Sequence, residues 1–88
     1  MANRIGGGIE SMDQLAGHFD SQAAELNSLV ASITSQLHSA DWEGGAASRF
    51  KSQWDGEFRN VFKQVEEGLR ECSGEVRQRA RALEAAGG

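Results

Sequence analysis

The chain has 88 residues, of which 39% are apolar and 25% charged, with a net charge of −4 and one cysteine, Cys72. Such a length holds one small domain, the mild acidity argues against nucleic acid as the main partner, and a lone cysteine excludes an internal disulfide or a cysteine-based metal cluster. Proline is absent, which favours helix over strand, and no apolar run approaches the roughly 18 residues of a membrane span, so stable membrane insertion is not expected.

Residues 1–8 are expected to be a flexible N-terminal segment. Gly6, Gly7 and Gly8 each cost a helix about 1 kcal/mol relative to alanine. The segment also lacks the charged-then-apolar order of a cleavable signal peptide. An apolar series then runs Ile9, Met12, Ala16, Phe19, Ala23, Leu26, Val30, Ile33, Leu37, Ala40. Its steps alternate three and four, a period of about 3.5 residues, which marks a helix packed along a neighbour. The predicted first helix covers residues 9–40, roughly 48 Å at about 1.5 Å per residue. Leu15 and Leu29 fall outside this series and share a second face of the same helix. They are either stray exposed leucines or part of a second packing surface.

Residues 41–45, Asp-Trp-Glu-Gly-Gly, are the only strong punctuation between the two long patterns. Gly44 answers a backbone need of the turn, and Gly45 is a candidate cap for the next helix. Trp42 is expected to fold back over the ends of the arms, because a large ring is costly to leave in water. The second predicted helix covers 46–85, with apolar positions Ala46, Ala47, Phe50, Trp54, Phe58, Val61, Val65, Leu69, Cys72, Val76, Ala80 and Leu83. Phe62 widens the stripe. Asp55–Arg59, Glu66–Arg70 and Glu75–Arg79 are acid-before-base pairs at i,i+4, each adding a few tenths of a kcal/mol. Residues 86–88 are expected to be a flexible tail, leaving 9–86 as a single helical-hairpin domain.

Two antiparallel helices alone share one seam and have no second layer. The aromatic stripe of the second helix is wider than one partner helix can cover. The fold expected is therefore all-α, a helix-turn-helix hairpin that dimerises into a four-helix bundle. Its predicted core and dimer interface comprise Phe19, Leu26, Val30, Ile33, Leu37, Phe50, Trp54, Phe58, Val61, Val65 and Leu69.

Nothing in the sequence points to chemistry. There is no Gly-rich phosphate loop, no nucleophile elbow and no apparent buried carboxylate pair, so no catalytic residue and no cofactor are expected. His18 and His38 lie far apart without cysteine or inward carboxylate neighbours, and no metal site is expected. Cys72 reads as a small buried hydrophobe, with an interchain disulfide as the sharper alternative. Arg70, Arg77, Arg79 and Arg81 read as a solvated, acid-paired face.

The stretch Trp42-Glu43-Gly44-Gly45-Ala46-Ala47-Ser48-Arg49-Phe50-Lys51-Ser52-Gln53-Trp54 resembles the WXG family, the small early-secreted-antigen-like proteins of type VII secretion. Trp42 and Gly44 supply the Trp-x-Gly, placed at mid-chain between long helical patterns, followed by Ala46, Phe50 and Trp54. The resemblance implies a hairpin that pairs with itself or with another WXG-type hairpin. It also implies export by the type VII secretion ATPase as a folded dimer, with a role as effector or export partner and no enzymatic activity. Trp42 and Gly44 would then act as a turn motif for recognition. The protein would be cytoplasmic before export and extracellular afterwards, in a family associated with virulence. One departure stands out: the family's Tyr-x-x-x-Asp/Glu export signal is missing, since the chain has no tyrosine. Either a partner carries the signal, or the chain is a cytosolic helical adaptor that is not exported.

Overall fold

The computed structural model describes the backbone of residues 2–87 and the side chains of residues 8–87. Helix α1 spans Ala2–Ser39, α2 spans Gly45–Gln53 and α3 spans Arg59–Gly87. Between α2 and α3, Trp54–Phe58 form one π-helical turn. No strand occurs among the described residues. Met1, Gly88 and the side chains before Gly8 lie outside the description; the described backbone is helical into both segments expected to be flexible, α1 starting at Ala2 and α3 ending at Gly87.

The chain turns once. The second arm, α2 through α3, runs back antiparallel along α1, and the result is a rod 65 × 17 × 12 Å in extent. Two helices side by side form a single layer. Its fully buried residues are Ala16, Ala23, Ala47, Ser73 and Ala80. Ala16 and Ala23 are one heptad apart on α1, and Ser73 and Ala80 one heptad apart on α3. Small side chains at these positions let the arms approach closely along one line.

Half-buried residues continue that line: Ile9, Met12, Phe19, Leu26, Val30 and Leu37 on α1, and Trp54, Phe58, Phe62, Leu69 and Val76 on the second arm. The period of the first helix thus appears in space as the line of contact. Two positions differ from expectation by one residue. Thr34 faces the second arm where Ile33 was expected, and Ser73 is buried where Cys72 was expected; Cys72 is exposed. The cause is stripe width. The apolar stripes cover both the arm-facing side and an adjoining outward side, so a best-fit line through them runs between the two.

Ionic contacts lie on the other side of the contact line. Arg77 Nη1 donates to Asp20 Oδ2 at 2.8 Å and Arg81 Nη2 to Asp13 Oδ2 at 2.8 Å. Near the turn, His38 Nε2 meets both Asp55 oxygens, at 2.9 and 3.1 Å. These cross-arm ties fix the register of the hairpin. Within the second arm, Glu66–Arg70 and Glu75–Arg79 pair at 3.2 and 2.8 Å, while Asp55–Arg59 reaches only 3.9 Å. The arginine cluster is acid-paired, as its sequence suggests, but half of the pairing runs across the hairpin.

Hydrogen bonds from Arg77 and then Ser73 hold the Asp20 carboxyl below its ordinary value of 3.8. The folded chain keeps this group ionised to a lower pH than the unfolded chain does. Its contribution to stability is therefore complete above about 3.8 and is lost as pH falls through the lower folded-state value. The difference in melting temperature between the parent and Asp20→Asn should stay constant from neutral pH down to the ordinary carboxylate range and shrink below it. Overpacking gives a second test. Ala23→Leu should cost about 1–3 kcal/mol in chemical denaturation, because a fully buried methyl site has no room for three more carbons.

Candidate functional site

Two features stand out: the turn and the outward apolar side of the rod. At the turn the chain leaves α1 after Ser39, and Trp42 N–H donates to the Ala40 carbonyl at 2.9 Å. Gly44 then adopts φ 109° and ψ 179°, a region open essentially to glycine alone. Its carbonyl accepts the first hydrogen bond of α2, from Ser48 N–H at 3.0 Å. Gly44, and not Gly45, is thus the N-cap residue, and no side chain caps this helix. The Trp-x-Gly pattern has its glycine where the backbone requires one.

Trp42 does not close the end of the rod. It remains 42% exposed and leans on Phe50, with ring centroids 5.8 Å apart and planes at 52°. Lys51 Nζ donates to the Trp42 carbonyl at 3.3 Å and so holds the turn against α2. Helix α1 ends too far back for its last residues to cover the indole; Ser39, Ala40 and Asp41 are all exposed.

From Trp42 a ladder of rings runs down the second arm. Phe50 lies 6.5 Å from Phe58, Phe58 lies 6.0 Å from Trp54, and Trp54 lies 5.8 Å from Phe62. Phe50, Trp54, Phe58 and Phe62 are spaced at four-residue steps. In an α-helix each such step overshoots a turn by about 40°, so the ladder would wind off the face. The π turn at Trp54–Phe58 holds more residues per revolution and takes up part of that drift. Asn60 Nδ2 donates to the Gly56 carbonyl at 2.8 Å, which satisfies an acceptor within the turn. Trp54 is anchored to the first arm: its indole N–H donates to Thr34 Oγ1 at 2.8 Å, and Thr34 donates to the Val30 carbonyl at 2.7 Å. A threonine at this point of the seam gives the indole the acceptor that a buried tryptophan needs.

The second feature is the exposed apolar side. Leu15 and Ile33 are 18 residues apart, as are Val65 and Leu83. Eighteen residues are about five turns, so each pair points in one direction. Leu29 is 55% exposed, Val61 54% and Val65 47%. Val61 and Val65 thus lie outside the hairpin seam, as do Ile33 and, beside Trp42, Phe50. Of the other predicted residues, Phe19, Leu26, Val30, Leu37, Trp54, Phe58 and Leu69 are half-buried between the arms. Leu15 and Leu29, set apart in the sequence, join Ile33 on one side. Cys72 is one heptad from Val65 and sits in the same outward row.

No group of His, Cys, Asp or Glu among the described residues is arranged to hold a metal ion, and no described helix is long and apolar enough to cross a membrane.

A family model described as WXG100, proteins of 100 residues with WXG, matches residues 8–87. Neither the curated proteins nor the solved structures contain a match to the chain.

The backbone at Gly44 makes a paired prediction. Gly44→Ala should destabilise the hairpin by roughly 1–3 kcal/mol, the cost of holding a Cβ residue in a glycine-only region. Gly45→Ala should be neutral or slightly stabilising, because its Cβ meets only Arg49 Nη1 at 3.6 Å and alanine favours the first helical turn. Urea melts of the two variants make the comparison.

Proposed function

The chain belongs to the WXG100 family, and on that premise we propose that it is a non-enzymatic type VII secretion protein that works as a dimer of hairpins. The observation that carries the reading is the one-sided apolar surface. Leu15, Leu29, Ile33, Val61 and Val65 are large, exposed and gathered on the side away from the cross-arm ion pairs. Large exposed apolar side chains gathered on one side are a mark of an interface. A second hairpin laid on it supplies the missing layer and completes a four-helix bundle. The partner is another copy or another WXG-type hairpin.

In this reading Trp42 and Gly44 form the element presented to the secretion ATPase. Gly44 sets the path of the backbone, and the exposed indole of Trp42 offers a large apolar contact with a free N–H at its edge. The dimer forms in the cytoplasm and leaves folded, to act outside the cell as effector or export partner. These 88 residues contain no tyrosine, and in this reading a partner supplies the tyrosine-based signal of the family. The same absence supports a second reading, a cytosolic helical adaptor that uses the apolar side for binding and is not exported.

Val65→Asp tests assembly. The residue is exposed on the single hairpin, so the variant should keep its helicity. Burial of an uncompensated charge in the dimer costs about 3 kcal/mol, roughly a hundredfold in Kd. Sedimentation should give the 9.5 kDa of one chain for the variant and twice that for a homodimeric parent, or for the parent mixed with its hairpin partner. Equal masses for variant and parent would count against this side as the interface. Trp42→Ala separates the two functional readings. An exported protein should lose most of its supernatant signal with little change in melting temperature; an adaptor gives no supernatant signal in either form.

A further inference from the structure

The outward apolar side is bordered mainly by charge of one sign. Residues 5–48 contain no lysine or arginine, so from Ile5 onward α1 brings no fixed positive charge to its edges. Glu25 stands four residues before Leu29, and Glu57 four before Val61; residues at that spacing are neighbours on a helix surface. Glu71 and Glu75, four apart, continue the edge of α3 beyond Val65. Glu75 holds Arg79 at 2.8 Å. Glu25, Glu57 and Glu71 take part in no ion pair among the described residues.

The cations are placed or committed elsewhere. Lys63 is two residues from both Val61 and Val65, about 200° around the helix and so on the opposite side. On that side Arg77 and Arg81 cross to Asp20 and Asp13. Arg70 is taken by Glu66, and Lys51 donates to the Trp42 carbonyl. Among the described residues, Arg49 at the turn end is the one cation near this border without a carboxylate of its own. The border therefore carries more unpaired carboxylates than cations, and none of the cations lies along α1.

A second copy of the chain brings the same border to a two-fold contact. Laid antiparallel, α1 faces the copy's α1, and Glu25 meets no lysine or arginine. Laid parallel, α1 faces the copy's α3. The hairpin pairs Asp20 with Arg77, so Glu25, five residues further on, is about level with Glu71, six residues back, and those two carboxylates meet. Like charge against like opposes either arrangement. We propose that the apolar side takes a different helical hairpin, one whose own apolar stripe is bordered by lysines and arginines. This rests on the pairing of hairpins through that side. Apolar burial supplies attraction to any such stripe, and the border decides which partner is accepted.

The test uses the full chain and, as probe, the same chain carrying Glu25→Lys, Glu57→Lys and Glu71→Lys, which keeps the apolar side and reverses its border. All three positions are exposed, and a circular dichroism spectrum matching the parent's establishes that the probe folds. Chains labelled at the N-terminal amine report pairing by energy transfer in about 50 mM and about 500 mM sodium chloride, where charges are screened over roughly 14 and 4 Å. In low salt the mixed pair should bind at least tenfold tighter than the parent binds itself. In high salt that margin should fall below threefold, and self-association of the parent should strengthen. Val65→Asp in the parent should weaken the mixed pair tenfold or more, which locates the contact on the apolar side. Parent self-association as tight as the mixed pair in low salt, or weakened by salt, or a margin that salt leaves unchanged, overturns the choice of partner and leaves the dimer of hairpins standing. A mixed pair indifferent to Val65→Asp, or no pairing in any combination, overturns both.

Discussion

Two helices that touch along a single line can enclose a methyl group but not a ring. Everything else in this molecule follows from that geometric limit. Among the described residues, those fully buried are alanines and one serine, and every large apolar side chain keeps part of its surface in water. Burial of apolar area is the main favourable term in folding, so a one-layer hairpin withholds from itself much of the stabilisation its sequence contains. The surplus lies on one side, where Leu15, Leu29, Ile33, Val61 and Val65 project. The polar devices lie on the other side, where Asp13, Asp20, His38 and Asp55 reach across the arms. The molecule has two unlike sides because the ionic ties need water and the apolar rows need cover.

Much of this is legible in the chain itself. The three-and-four spacing from Ile9 to Leu37 is the contact line of α1, because helix geometry converts that spacing directly into a face. The position of the turn is legible because glycine is the residue its backbone tolerates, and Gly44 with φ 109° bears this out. The substitution of Ser73 for Cys72, and of Thr34 for Ile33, was not visible. In both cases the residue facing the other arm is small and polar beside a more apolar neighbour, and hydropathy alone ranks them in the wrong order. Thr34 is chosen by the Trp54 indole, a contact 20 residues away in sequence.

The π turn left a signal that periodicity alone does not resolve. Four aromatics at four-residue steps cannot share one face of a regular α-helix, and Gly56 sits within the turn. The cross-arm ion pairs left a weaker one. Asp13 with Arg81 and Asp20 with Arg77 sit at mirrored distances about the turn, a relation that appears only once the hairpin is assumed and its register known. The i,i+4 pairs required no such knowledge, since they depend on local helix geometry alone.

The placement of the cross-arm ties also bears on how the hairpin comes together. His38 and Asp55 are 17 residues apart in the chain, Asp20 and Arg77 are 57, and Asp13 and Arg81 are 68. Loop-closure entropy grows with the logarithm of that separation. Joining the outermost pair directly from the unfolded chain therefore costs about 1 kcal/mol more than joining the innermost. Zipping from the elbow avoids the difference, because each contact shortens the loop left for the next. The open ends of the arms then close last and part first, and the arginines of α3 act as a clasp on the slowest-made portion of the rod.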